Sequence, residues 1–413
     1  MLLDVGLAIF IFLFPFSPKI PVNLFNQNLQ IRLDDVIVPV LFFIWLIEWL
    51  TKKRQLIYSK LYIPVGAYFL IGVISTLLGY FVKHTIQNPL YTTCIILRSA
   101  EYYIIFFLTV NILKTKKQLM NYLNVWMIAT IVISLYGIFD RALNISGPTG
   151  LYDKGWFLWQ SNHMGGYLMI SLIVAIGLYL RKGQRAQRIL PLIAIPFISY
   201  ALFFTLSRTT YISAIVAIFV YCMLKSKQLV LLPIILAFFL FWFMPVMMPN
   251  TLVGQYLDSV VKDTLSLRTD MRTTESRVAS DFSAVHHRRL MTKAFKRFLK
   301  YPVTGEGFGA RQLKEYDSQI ALVPAATGIT GSLAFIWLFL SIFITGIKAY
   351  RKGERDSDFR EVARIFLSIF AGALIHSIAS VAFVIAVIAY SFWLLAGMLI
   401  ISTTEYNNVV NAS

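Results

Sequence analysis

The chain is short of most of what a soluble enzyme draws on. Only 14% of its 413 residues are charged, against about a quarter in soluble domains. Two cysteines, Cys94 and Cys222, stand far apart in apolar runs. That excludes a disulfide framework and a cysteine-based metal cluster. No internal repeat or low-complexity tract is visible, and no soluble domain is appended. A nucleotide-binding phosphate loop is missing too. Gly305-Glu306-Gly307-Phe308-Gly309 lacks the Lys-Ser/Thr pair and follows no strand. What is abundant is apolar surface: 58% of residues are hydrophobic and 15% aromatic, with a mean hydropathy of +0.69. Cations outnumber acids by 38 to 20.

Runs of roughly 20 apolar residues are long enough to cross a bilayer. Twelve are predicted, at about 2–18, 34–51, 61–82, 92–113, 119–139, 163–180, 189–206, 209–224, 229–248, 329–348, 364–379 and 381–402. The first has no basic leader and no small-x-small cleavage site, so it is read as a helix and not as a signal peptide. Five short connections are basic: Lys52 to Lys60, Lys114 to Lys117, Arg181 to Arg188, Lys225 with Lys227, and Lys348 to Arg364. By the positive-inside rule these are cytoplasmic, which puts both termini inside and the long 249–327 segment outside. The expected division is 1–248 as helices one to nine, 249–328 as an external loop, and 329–413 as helices ten to twelve with a cytoplasmic tail.

The external segment 249–327 carries twelve cations against eight acids, contrary to the usual bias. A cationic surplus on that side suits an anionic ligand such as a phosphorylated lipid; nucleic acid is not expected there. Within it, Leu290, Met291, Ala294, Phe295, Phe298 and Leu299 repeat on one helical face, and Arg288, Arg289, Lys293, Lys296, Arg297 and Lys300 take the other. A helix of this kind lies in the membrane interface, either as a peripheral anchor or as the roof of a site for an anionic lipid. Pro302 and the following glycines end it. The external segments hold no His-x-x-x-His pair, cysteine pair or Asp-x-Asp signature, so neither a catalytic metal nor another cofactor is expected. Arginines would then neutralise phosphate charge, through bidentate bonds.

Several further residues stand out, each with a plainer alternative. Arg208 sits in a tight outer turn, facing either headgroups or a cavity. Ser161 or Asn162 suits the N-cap of the sixth span, and His163 could contact a sugar or phosphate. Arg98 and Glu101, three apart, read as a structural pair. Asp34-Asp35 reads as a cap, and His376 as a hydrogen-bonded core residue. Gly305 and Gly307 would let backbone approach a phosphate.

Four segments in order carry a resemblance. They are Ser161-Asn162-His163-Met164-Gly165-Gly166-Tyr167-Leu168; Leu206-Ser207-Arg208; Tyr301-Pro302-Val303-Thr304-Gly305-Glu306-Gly307-Phe308-Gly309; and Tyr316-Asp317-Ser318-Gln319 ahead of Thr327-Gly328-Ile329-Thr330-Gly331-Ser332. Their order and spacing resemble the O-antigen ligase and Wzy-type polysaccharide polymerase superfamily, over roughly 140–340 at motif level. The resemblance implies an all-α polytopic bundle of GT-C-like fold in a bacterial inner membrane. It implies a metal-independent glycosyltransferase whose donor is an undecaprenyl-pyrophosphate-linked oligosaccharide, with a chain-length regulator as a protein partner. Arg208 matches one pyrophosphate-holding arginine. Arg288 matches another, with Arg289 and His287 as neighbours in register, and Arg277 joins the same binding set. Where many ligases have a His-Asn pair, Asp317-Ser318-Gln319 stands here, which favours polymerase over ligase. An arginine that many relatives place near Gly147–Gly150 is missing; Lys154 or Arg141 could substitute. His286, His287 and Asp317 are the candidate bases for the acceptor hydroxyl. The rival classes are a lipid-linked oligosaccharide flippase or other transporter, and a non-catalytic assembly partner.

Overall fold

The structure is a computed structural model that describes residues 2–143, 160–234, 277–353 and 357–401, except for 18–19, 25–26, 52, 182–185, 232 and 311–314; at 21–30, 186, 227 and 277–286 it describes backbone alone. The elements in order are α1 (Leu2–Leu13), a 3-10 turn Phe14–Phe16, β1 (Ile20–Leu24), β2 (Gln27–Ile31), α2 (Asp34–Leu50), α3 (Tyr62–Phe81), α4 (Pro89–Ile112) and α5 (Lys116–Ala142). After these come α6 (Ser161–Leu180), α7 (Ala186–Phe204), α8 (Arg208–Lys225), α9 (Arg277–Lys300), α10 (Gln319–Lys352), α11 (Asp358–Ile378) and α12 (Ala386–Ile400). Eight of these helices are long and apolar enough to cross a membrane, so the chain is a helical, multi-pass membrane protein.

The expected count of twelve is met only in part. α2 has 17 residues and α12 has 15. The first span is a 12-residue helix ended by a 3-10 turn at Pro15. The span expected at 229–248 lies almost wholly outside the described residues. An antiparallel hairpin, Ile20 opposite Ile31, joins α1 to α2, a connection the apolar pattern does not announce. The tenth span begins ten residues earlier than expected, because Ser318 caps a helical stretch from Gln319. It breaks at Gly328, whose φ of +65° suits only glycine.

α6 and α11 form the centre, each about four-fifths buried over its apolar window. Close approach comes from small residues, as is usual between helices in lipid. A methyl group at Gly372 would stand 2.9 Å from the Ala217 Cβ on α8, and one at Gly397 would stand 2.6 Å from Thr109 on α4.

All five basic connections meet at one end of the bundle. The Ile57 amide donates to the Asn111 side chain at 2.8 Å, tying the first connection to the foot of α4. Lys116 and Arg181 both reach Asp358, at 2.8 and 3.7 Å. Lys225 bonds the Leu180 carbonyl at 2.9 Å and Glu361 at 2.8 Å. Arg364 and the Tyr221 hydroxyl also engage Glu361. The helix ends therefore alternate as the basic pattern requires.

Glu361 is the only acid against Lys225 and Arg364 in this buried network, among the described residues. Glu361→Leu should lower stability by about 3–5 kcal/mol, because it strands buried cations. Lys116→Ala, at a side chain 59% exposed, should cost less than about 1 kcal/mol. Melting curves of the two purified variants check the contrast.

Candidate functional site

At the opposite end, three helix N-termini are linked. α8 starts at Arg208 behind Ser207, whose hydroxyl caps the helix at the Thr210 amide. The same hydroxyl donates to Asn162 Oδ1 at 3.0 Å, so the first turn of α6 is bound to the first turn of α8. Thr210 Oγ1 is also 2.8 Å from Ser207 Oγ. Leu206, just before the cap, has a φ of +52°, a costly conformation for a side chain branched at Cγ. It re-aims the chain between two antiparallel helices in three residues. Arg141, at the end of α5, lies over the Phe204 ring at 5.4 Å, beside this turn. Lys154, the other substitute suggested by the sequence, lies outside the described residues.

α10 supplies the third N-terminus. The Gln319 amide donates to the Ser380 carbonyl at 3.1 Å, and the Ser318 hydroxyl lies 3.4 Å from the Ser377 carbonyl. The start of α10 thus sits on the end of α11. His376, in that last turn, completes the link to α6. It is fully buried; its Nε2 stands 3.2 Å from where a Gly166 Cβ would be, and the ring faces the Asn162 backbone carbonyl. The Asn162 backbone is its neighbouring acceptor, with no bond of ordinary geometry formed by either ring nitrogen among the described residues. Helix N-termini present unpaired amides and positive dipole ends to anions. Two of them, those of α6 and α8, join at Ser207 beside Arg208.

α9 covers the same end. His287 Nδ1 is 3.8 Å from Asp317 Oδ2, both about one-third exposed, so two of the candidate bases are neighbours. The expected apolar face is only partly covered by the bundle. Leu290 and Ala294 are buried, whereas Phe295 and Leu299 are 60% and 59% exposed. Arg297, expected among the outward cations, turns inward to Glu315 and lies over the Tyr316 ring at 5.3 Å. The face turned to the bundle therefore holds buried Leu290 and Ala294 with half-buried Met291, Arg297 and Phe298 beside them. Burial raises the Tyr316 phenol above its usual value, with Arg297 opposing. Arg288 and Arg289 are exposed; among the described residues neither makes a side-chain hydrogen bond or ion pair. His163 lies in the first turn of α6, half-buried. The side chains of Arg277 and His286 lie outside the described residues.

The glycine loop has a different job from the expected one. The Gly305 amide donates to the Tyr301 carbonyl at 2.9 Å, Glu306 to Ala325 at 2.9 Å and Gly307 to Ala326 at 2.8 Å. The Glu306 and Gly307 amides meet carbonyls at the α10 break, where helical partners are lost, and the Gly305 amide closes the loop on itself, so the Gly305 and Gly307 amides are not free for a phosphate. Lys83 bonds Thr304 and the Gly305 carbonyl, and Thr85 bonds the Glu306 carbonyl at 2.6 Å. Burial lowers the Lys83 ammonium from its usual value, against the pull of Glu306. The loop is a wedge between α3, α4 and broken α10.

Arg98 and Glu101 belong to a larger charged cluster than their spacing suggests. Arg98 bonds Asp35, Arg32 bonds Asp34, and Glu101 accepts from the Tyr390 hydroxyl at 2.8 Å. The carboxylates of Asp34, Asp35 and Glu101 lie within 4.8 Å of one another. The two arginines already balance the two aspartates, which leaves little net charge for a metal ion.

Neither a known protein family nor a curated protein matches this chain, so function is argued from the site.

Gly305→Ala separates the two readings of the loop. Its added methyl would lie 2.3 Å from the Ala326 carbonyl carbon, at a φ of +62°. Loss of more than about 1 kcal/mol of stability is expected, seen as a lower melting temperature in detergent before any ligand is added.

Proposed function

We propose that this protein is a polymerase of surface-polysaccharide repeat units, a glycosyltransferase taking its glycan from an undecaprenyl-pyrophosphate-linked donor. The observation that carries the reading is that the α6 and α8 N-termini join through Asn162 and Ser207 beside Arg208, while His287 meets Asp317 ahead of α10 at the same end of the bundle. Such a site holds a diphosphate without a metal, through aligned amides and a fork of guanidinium donors. The five basic connections gather at the other end, so the positive-inside rule puts this site on the outer side of the membrane, where lipid-linked repeat units are consumed.

In this reading the acceptor hydroxyl attacks the anomeric carbon, and the bond to the pyrophosphate oxygen breaks. His287 takes the hydroxyl proton, held in orientation by Asp317. Arg208 stabilises the charge that grows on the departing diphosphate, with Arg288 and Arg289 approaching from α9 once the lipid is bound. Asn162 and Ser207 fix the helix start that carries Arg208, and His163 lies in the first turn of α6 beside Asn162. Asp317-Ser318-Gln319 in place of a His-Asn pair favours polymerase over ligase. A flippase is less well supported, because transporters build their sites from paired half-helices at the membrane midplane, whereas these polar groups lie at one end.

Arg208→Ala should lower transfer by about 10²–10³-fold. In a deletion strain, wild type restores a polysaccharide ladder on a gel and Arg208→Ala leaves single repeat units. A full ladder from Arg208→Ala removes the proposal. Accumulation of lipid-linked units on the cytoplasmic leaflet would establish a flippase instead.

A further inference from the structure

Around the axis of α9, at 3.6 residues per turn, the side chains fall into three sectors. Leu290 and Ala294 are buried against the bundle. Next round the helix come Met291 and Phe298, half-buried, and then Phe295 and Leu299, exposed. The third sector is Arg289, Lys293, Lys296 and Lys300, all exposed. No acid stands between His287 and Gly305. A helix that faces water outside its core stripe is polar there, whereas this one carries an apolar ridge between its buried sector and its cations. The ridge continues past the helix. Val303 is exposed as well. The Thr330 hydroxyl donates to its carbonyl at 2.9 Å, and the Ile329 amide donates to the Pro302 carbonyl at 2.8 Å. From that point the membrane-crossing part of α10 bears an exposed apolar stripe of Ile329, Leu333, Ile336 and Leu340. The ridge of α9 therefore ends where a face suited to acyl chains begins.

The charges beside the ridge suit a headgroup layer. Lys300 and Lys83 stand over the Tyr301 ring, at 5.2 and 5.3 Å from its centroid. Lys83 follows Phe81 and Val82, both exposed at the end of α3. Tyrosine and lysine at the ends of apolar helices mark the level where acyl chains give way to phosphates. A second copy of the chain, with a formal charge of +18, would meet these lysines with repulsion. A phosphodiester above acyl chains matches both sectors. We propose that the last two turns of α9 dock on anionic phospholipid in the leaflet at this end of the bundle. Phe295, Leu299 and Val303 enter the acyl chains, and Lys293, Lys296 and Lys300 meet the phosphates. Arg288, in line with the ridge but two turns nearer the N-terminus, stays outside the docked part. The assignment does not rest on the transferase reading.

The test is hydrogen exchange of the purified full chain in nanodiscs, read by mass spectrometry over residues 291–303. Discs of phosphatidylcholine alone are compared with discs that also carry phosphatidylglycerol. A lysine near an anionic surface strengthens docking about fivefold. Phosphatidylglycerol should therefore slow exchange here by about tenfold or more, and added salt should reverse most of that effect. Lys293→Gln, Lys296→Gln and Lys300→Gln combined should abolish the difference between the two discs. The triple variant should melt in detergent as wild type does, since all three side chains are exposed. Phe295→Ser with Leu299→Ser should speed exchange in both discs, because apolar contact is lost with either lipid. Equal exchange in the two discs overturns the proposal, as does a triple variant that keeps the phosphatidylglycerol effect. Protection seen only in discs that hold two chains would give the face to a second copy instead. No glycan donor is present, so failure of the transferase reading leaves this result untouched.

Discussion

The geometry of the candidate site depends on one buried carboxylate at the other end of the molecule. Glu361 is gripped by Tyr221 and Lys225 from α8 and by Arg364 from its own helix. Ionic groups in a bundle interior hold their place only when paired, so this cluster sets the register of α11 against α8. Fifteen residues further along, a rise of about 22 Å, the same helix delivers His376 to α6 and Ser377 to α10. A rigid rod pinned at its foot and packed through Gly372 has one possible position for its tip. The three N-termini meet because α11 stands among them.

A second constraint acts on α10. A membrane helix that breaks must find new partners for its backbone. Gly328 makes the break, and the 301–309 loop supplies donors to Ala325 and Ala326 and acceptors to Ile329 and Thr330. The loop, in turn, is held by Ser75, Thr76, Lys83 and Thr85 from α3 and its exit. Sequence segments more than 200 residues apart thereby share one hydrogen-bonded unit. The same unit fixes where α10 starts, and so where Asp317, Ser318 and Gln319 stand.

Much of this was legible in the apolar runs and their basic connections. Length and hydropathy locate most helices to within a few residues, because lipid leaves no other way to satisfy a backbone. Asn162 comes to Ser207, the residue before Arg208, and His287 comes to Asp317, across separations that no local pattern announces. What the pattern could not carry is partner choice. Arg98 sits three residues from Glu101 yet bonds Asp35, because α2 brings a carboxylate closer than the helix surface does. Arg297 reads as an outward cation on helical periodicity, but Glu315 and Tyr316 lie across the helix and draw it in. His376 and Gln319 carry no local signal at all. Each looks like a solitary polar residue at a span end, and only the packing of other helices buries it.

Both ends of the bundle bury polar atoms that meet no partner among the described residues: Nε of Arg181, Arg188 and Arg360 at the basic end, and Gln319 Oε1 at the other. The two cases differ in kind. At the basic end the cations are paired through their other nitrogens or through neighbours, Arg181 with Asp358 and Lys225 with Glu361, so charge is balanced even where one atom is not. At the other end the Gln319 amide oxygen is stranded on a neutral side chain, and Leu206 keeps a costly left-handed backbone just before the α8 cap. Features of this kind lower stability, and the two lie at the helix starts that frame the candidate site.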